Sequence, residues 1–305
     1  MERDMKTLVS KPLFVMLALT GLLAGGCATT MTKPFPDMKG QVSIIDAPKD
    51  PVYMYDWAPG TYHIPDSNVY IAKLQGDEDT AVGAVLFGLV GTEITGGNIA
   101  KTVKKDLQGA EKELQFNLAD ITDEAIKNAL SGPETFGRVT FNGKPGSMAL
   151  VINPYVVFSY VDETTSRLWV VLKVEWIDYN FNLKEWYCRY IAGVDKPRPL
   201  TGEESWTANK GELMKAALAE NLKLDTEVML EDINGKLKDD KIPMQKIRGK
   251  FMFYKKPLNV DVRVLKRDED WDVVLPLVGD DSYYAGVNIL PKDFNEPLPP
   301  KDLKK

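Results

Sequence analysis

Hydrophobic positions along the chain change period several times, and each change marks an element. Residues 13–27, LFVMLALTGLLAGGC, are uncharged and mostly apolar behind Arg3, Lys6 and Lys11. That run is shorter than the roughly 20 apolar residues a membrane-spanning helix needs. Residues 28–41 hold Thr, Pro and Gly with little apolar patterning and read as a flexible linker. Short extended segments are predicted at 42–46, 52–55 and 69–74, separated by turn residues. Residues 80–97, TAVGAVLFGLVGTEITGG, are apolar on every side, with Ala81, Ala84, Gly88 and Gly91 at helical spacing. A core helix fits them, and so does a membrane-inserting or oligomerising one. Gly83 and Gly88 share the spacing of a phosphate loop, but the Gly-Lys-Ser/Thr that loop requires does not follow.

Helical periodicity returns at 98–118, where Ile99, Val103, Leu107, Ala110 and Leu114 form one stripe. A second helix is predicted from Thr122 to Leu130, stopped by Ser131-Gly132-Pro133. The period then drops to two. Residues 136–141, the turn Asn142-Gly143 and residues 148–161 read as a hairpin, with Pro154 forcing a bulge or an edge. In 167–178 and 184–192 two sets alternate onto one face: Leu168, Val170, Leu172, Val174 and Trp176, then Trp186, Cys188, Tyr190 and Ala192. A half-buried antiparallel sheet gives that alternation. A long helix at 209–233 carries Leu213, Ala216, Ala217, Leu224, Val228 and Ile233 and closes at Asn234-Gly235. Strands at 258–265, 271–278 and 283–290 follow. The expected fold is α+β, a mainly antiparallel sheet covered by amphipathic helices. It divides into a body at 42–245, a small β appendage at 246–292 and a loose Pro/Lys-rich tail at 293–305.

The first apolar run has a more specific meaning. A basic head, an apolar core and a small-residue end form an export signal, and Leu23-Ala24-Gly25-Gly26-Cys27 resembles the lipobox of bacterial lipoproteins. Ala24 stands where that family prefers Leu. The resemblance implies removal of residues 1–26, a diacylglycerol thioether on Cys27, and acylation of the new amino group. It also implies sorting to the periplasmic face of the outer membrane, or to the cell membrane where there is no outer membrane. Two or more acyl chains hold a protein stably in a bilayer.

Composition narrows the rest. The formal net charge is −6, and loss of residues 1–26 makes it −7, which argues against a nucleic-acid partner. Once Cys27 is lipidated, Cys188 has no partner for a disulfide. Its place in the alternation makes it a core residue. The one histidine, His63, excludes a His-rich zinc site, and its turn-rich surroundings give it a structural or exposed role. Asp268-x-Asp270-x-Asp272 opens like a calcium loop, but Val273 and Gly279 occupy the positions of the required Gly and Glu. No G-x-S-x-G elbow is present, and no cofactor or metal is expected. Trp169, Trp176, Trp186, Tyr187 and Tyr190 fit sheet packing, or the wall of a lipid or glycan pocket.

One window departs from the acidic average. Residues 236–256 hold eight basic and two acidic side chains. Within it, Lys246, Arg248, Lys250, Phe251, Phe253, Tyr254, Lys255 and Lys256 form a candidate docking strip for an anionic surface. An edge strand whose lysines prevent aggregation is the plainer alternative. The expected role is non-enzymatic: an accessory or scaffold component of an envelope assembly or transport system, with an envelope protein as partner. A lipid- or glycan-binding module and a cell-wall hydrolase are the alternatives.

Overall fold

The computed structural model describes residues 35, 41–49, 61–73, 101–107, 109–132, 139–142, 148–178, 183–237, 242–279 and 282–298. The run expected as an export signal, with Cys27, the segment expected at 52–55 and the apolar stretch at 80–97 lie outside them. In chain order the strands are β1 (Val42–Ile45), β2 (Thr61–His63), β3 (Val69–Ala72), β4 (Val139–Phe141), β5 (Met148–Tyr160), β6 (Thr165–Asp178) and β7 (Leu183–Ala192). Then come β8 (Arg198–Pro199), β9 (Gln245–Gly249), β10 (Leu258–Arg267), β11 (Trp271–Pro276), β12 (Val287–Pro291) and β13 (Asn295–Pro297). The helices are α1 (residues 101–107), α2 (Ala119–Leu130) and α3 (Ala208–Ile233).

The fold is α+β, with these helices and one large mixed sheet ordered β13-β9-β10-β11-β12-β7-β6-β5-β1-β4. Its centre is the antiparallel meander β5-β6-β7. The β5–β6 turn forms because the Asp162 carboxylate accepts the N–H groups of Thr164 and Thr165. Four pairings are parallel: β1 with β4, β1 with β5, β3 with β5, and β12 with β7. The hairpin expected between β4 and β5 is therefore replaced, because β1 enters between the two strands. Asn142 ties the end of β4 to β1. It takes a left-handed backbone (φ 52°), donates its N–H to the Ile44 carbonyl, and accepts the Asp46 N–H on its side-chain oxygen.

Pro154 causes neither a bulge nor an edge. It pairs opposite Leu172 in an unbroken β5, and β1 ends beside Val151 while β3 begins beside Val156. The missing N–H thus faces the gap between two partner strands, and Asn68 Nδ2 donates to the Pro154 carbonyl at 2.9 Å.

The helix expected over 98–118 is also shorter. It ends by Gly109, whose φ of 90° leaves the helical region, and a 3₁₀ turn follows at Ala110–Leu114. Helix α2 starts before Thr122, which lies buried inside it, and Asn117 Oδ1 accepts the Ala119 N–H at its start. Helix α3 closes as expected, with Gly235 N–H to Asp232 O and Lys236 N–H to Glu231 O. Its inner face differs from the apolar stripe: Leu213 is 39% exposed, whereas Asn221, Asp225 and Asp232 are buried with Met214, Leu218 and Leu222.

Each face of the sheet carries a core. Leu168, Val170, Leu172, Val174 and Trp176 meet Cys188, Tyr190 and the helices on one face. Phe35, in the stretch expected to be a free linker, joins that core edge-on to Trp186 at 4.9 Å and to Trp176 at 6.2 Å. On the other face, Tyr70, Tyr155, Trp169 and Ile191 share one cluster with Ile247, Val262, Val274, Leu290 and Phe294. The strands expected as an appendage at 246–292 thus continue the central sheet through β12 and curl over its second face. The first residues of the expected loose tail are fixed as well: Phe294 is buried and β13 pairs with β9. Burial of a large side chain of this kind contributes about 1.5–3 kcal/mol.

Candidate functional site

The second core opens at one end into a cavity of about 150 Å³ lined by Ser159, Val161, Arg167, Trp169, Pro197, Lys250, Phe251, Tyr254 and Lys255. Four of these come from the candidate strip. Arg167 carries the chemistry. It opposes Ser159 across β5 and β6 and is only 4% exposed, which is unusual for an arginine unless it is paired.

Arg167 is held from two sides. Its Nε–H donates to the Asp195 carbonyl at 3.2 Å, and Asn221 of α3 donates to the Asp195 carboxylate at 2.8 Å. The guanidinium carbon lies 3.4 Å from the Phe294 ring centroid, and Lys250 Nζ is 4.9 Å from the same ring. Burial lowers the Arg167 pKa to about 10, opposed by the Asp293 and Asp195 carboxylates. The group stays cationic at neutral pH. Its Nε bond is the one hydrogen bond it makes among the described residues, which leaves its terminal amino groups for the cavity.

The other walls are equally determined. Trp169 lies against the Gly193 backbone so closely that a Cβ there would come within 2.3 Å of its ring. Phe253 holds a left-handed backbone (φ 71°), rare for an aromatic residue, while its N–H donates to Ser159 Oγ at 3.2 Å. Backbone strain of this kind concentrates at functional sites. Lys255 reaches Glu163 at 3.3 Å, but that carboxylate is 85% exposed, so the pair is weak. Tyr254 meets Tyr284 edge-on at 5.5 Å, and burial raises its pKa.

The candidate docking strip is therefore not one continuous surface. Phe251 and Phe253 are 1% and 2% exposed and belong to the core, because the loop after β9 turns inward. Lys250 and Lys255 turn to the cavity, and Tyr254 is half-buried beside it. Lys246, paired with Asp261 at 3.2 Å, and Arg248 alternate with buried Ile247 and Gly249 on β9, and Lys256 is exposed. Sequence reasoning marked the lysines but missed Arg167, which lies more than 80 residues from Lys250 and Lys255 in the chain. Its signal was a charge directly before the apolar run Leu168–Leu172 of β6.

The remaining candidates have structural places. His63 Nε2 contacts the Ser67 carbonyl at 2.8 Å, and its ring stacks on Tyr70. Asp268 and Asp270 flank the β10–β11 turn, while Asp272 pairs with Lys292. Of the five aromatic candidates, Trp176, Trp186 and Tyr190 pack in the core and Trp169 lines the cavity. A larger cleft of about 570 Å³ runs between α2 and α3. Its carboxylates, Glu124, Glu227 and Glu231, are exposed or half-buried, and Glu231 pairs with Lys266 at 2.7 Å. Among the described residues no group of three His, Cys, Asp or Glu side chains could hold a metal, and no helix is long and apolar enough to cross a membrane. Compared with protein families, curated proteins and solved structures, the chain matches none.

Proposed function

We propose that the chain is an envelope lipoprotein anchored through Cys27 to the periplasmic face of the outer membrane, or to the cell membrane where there is no outer membrane. Its body is a non-enzymatic accessory or scaffold component of an envelope assembly or transport system. The observation that carries the address is the run ending Leu23-Ala24-Gly25-Gly26-Cys27. We read the body as a mainly antiparallel sheet covered by amphipathic helices. Lys246, Arg248 and Lys256 stand on its surface to meet an acidic envelope protein. The cavity around Arg167 favours a second reading, a binding module for an envelope lipid or glycan.

Labelled palmitate should enter the wild-type protein and not Cys27→Ala, whose signal should also stay uncut at this site. A mature N-terminus downstream of Cys27 would overturn the address. Crosslinking in intact envelopes should capture a discrete protein partner, less efficiently when Lys246, Arg248 and Lys256 are changed to Gln. Unchanged crosslinking in that variant would remove the accessory reading and leave the address in place.

A further inference from the structure

We infer that the Arg167–Lys250–Lys255 cavity is a binding site for a phosphate-bearing ligand. The inference rests on the cavity and not on the anchor, so either stands if the other fails. It names the ligand class for the binding-module reading.

Three observations converge on it. The first is charge in the wrong place: a buried guanidinium has its terminal amino groups unused at a cavity wall, with two lysines on the same lining. These donors face the cavity space and not the packed interior, and an anion there would accept charge-assisted hydrogen bonds from them. The carboxylates near the cavity do not complete it. Asp195 is engaged by Asn221, Glu163 is a solvated rim group on Lys255, and Asp293 acts on Arg167 only through space.

The second observation concerns shape. A carboxylate offers two coplanar oxygens that a single arginine fork satisfies, whereas a tetrahedral phosphate offers three or four acceptors. Here one fork, two ammonium groups and the Ser159 hydroxyl share one small space. Ser159 Oγ accepts the Phe253 N–H, so its own proton is available to a ligand. A volume of about 150 Å³ suits one oxyanion with a few waters, and is well below the roughly 300–1,000 Å³ of sites for larger organic ligands. The rest of the ligand would leave along Trp169, Phe251 and Tyr254, an aromatic wall that tolerates a glycerol or sugar.

The third is rigidity. Lys250 N–H donates to the Phe294 carbonyl at 2.8 Å, Arg167 stacks on the Phe294 ring, and Phe253 is fixed to Ser159. These restraints hold the donors before any ligand arrives, which reduces the ordering cost of binding.

The test uses the full-length protein in a neutral detergent at constant ionic strength. Inorganic phosphate, glycerol 3-phosphate and micelles doped with phosphatidylglycerol are titrated by calorimetry, with acetate and galacturonate as carboxylate controls. Saturable binding of a phosphate ligand is expected, weakened at least about tenfold by Lys250→Gln with Lys255→Gln. Lys246→Gln with Arg248→Gln, on the neighbouring strand β9 but off the cavity, should change it less than about twofold. Glu163→Gln, which removes the competing rim carboxylate, should tighten binding. Saturation by the soluble phosphates identifies a free phosphate compound as the source, and binding confined to the doped micelles identifies a lipid headgroup. Each of those two outcomes supports the site. No phosphate binding, equal binding of the carboxylates, or equal loss in the two lysine-containing double variants would overturn it. Because Lys250 and Lys255 are partly exposed, the result does not depend on whether Arg167 variants fold.

Discussion

Asp225 shows how much a single side chain on α3 departs from what its helix period suggests. It is 0% exposed, no donor reaches either carboxylate oxygen in good hydrogen-bond geometry, and burial raises its pKa well above the usual carboxylate range. The Ala192 backbone N–H offsets only part of that rise. Because the folded pKa lies above the unfolded one, unfolding between them releases a proton. Stability is therefore greatest below the unfolded pKa of about 3.9 and falls as pH rises toward the folded pKa, by about 1.4 kcal/mol per pH unit. Asp225→Asn should remove that slope, so its stability relative to wild type should grow between pH 4 and 7 in urea denaturation. Parallel curves for the two proteins would refute the assignment. On the facing strand, Cys188 is 2% exposed and burial pushes its thiol well above the ordinary range. A thiol reagent should label it slowly in the native protein and fully in denaturant. Fast native labelling would move it to the surface.

Among the elements, the short segment from η (Lys292–Phe294) into β13 has an importance its length hides. Phe294 is 5% exposed, supports both Arg167 and Lys250, and directly precedes the last strand, which pairs with β9. Phe294→Ala should cost about 3–5 kcal/mol in chemical denaturation. A loss below about 1 kcal/mol would return residues 293–297 to a loose tail. Those residues looked loose because they open the Pro- and Lys-rich stretch 293–305, and the burial of one phenylalanine outweighs that. Where a side-chain period reports a face directly, the sequence was legible: Leu168 to Trp176 and Trp186 to Ala192 lie as their alternation requires. Strand partners are another matter. Nothing within residues 139–161 announces that β1, about a hundred residues away, separates β4 from β5. Likewise Val171 and Trp169 read as the half-exposed face, because the strands that cover them come after residue 244. The cavity was half legible. Its lysines appear as a charge excess in one window, but their convergence on Arg167 exists only once the sheet has curled.

At the scale of the molecule, that curl gives the sheet two buried faces, and it puts the cavity at one end of β6 and Phe35 at the other. Phe35 is clamped by Trp176 and Trp186, at the end of β6 and the start of β7. Arg167 lies nine residues back along the same strand, about 30 Å away. One stiff strand thus holds the Phe35 clamp and the basic cavity apart, so a ligand can enter beside Arg167 without disturbing the aromatic contacts that seat Phe35.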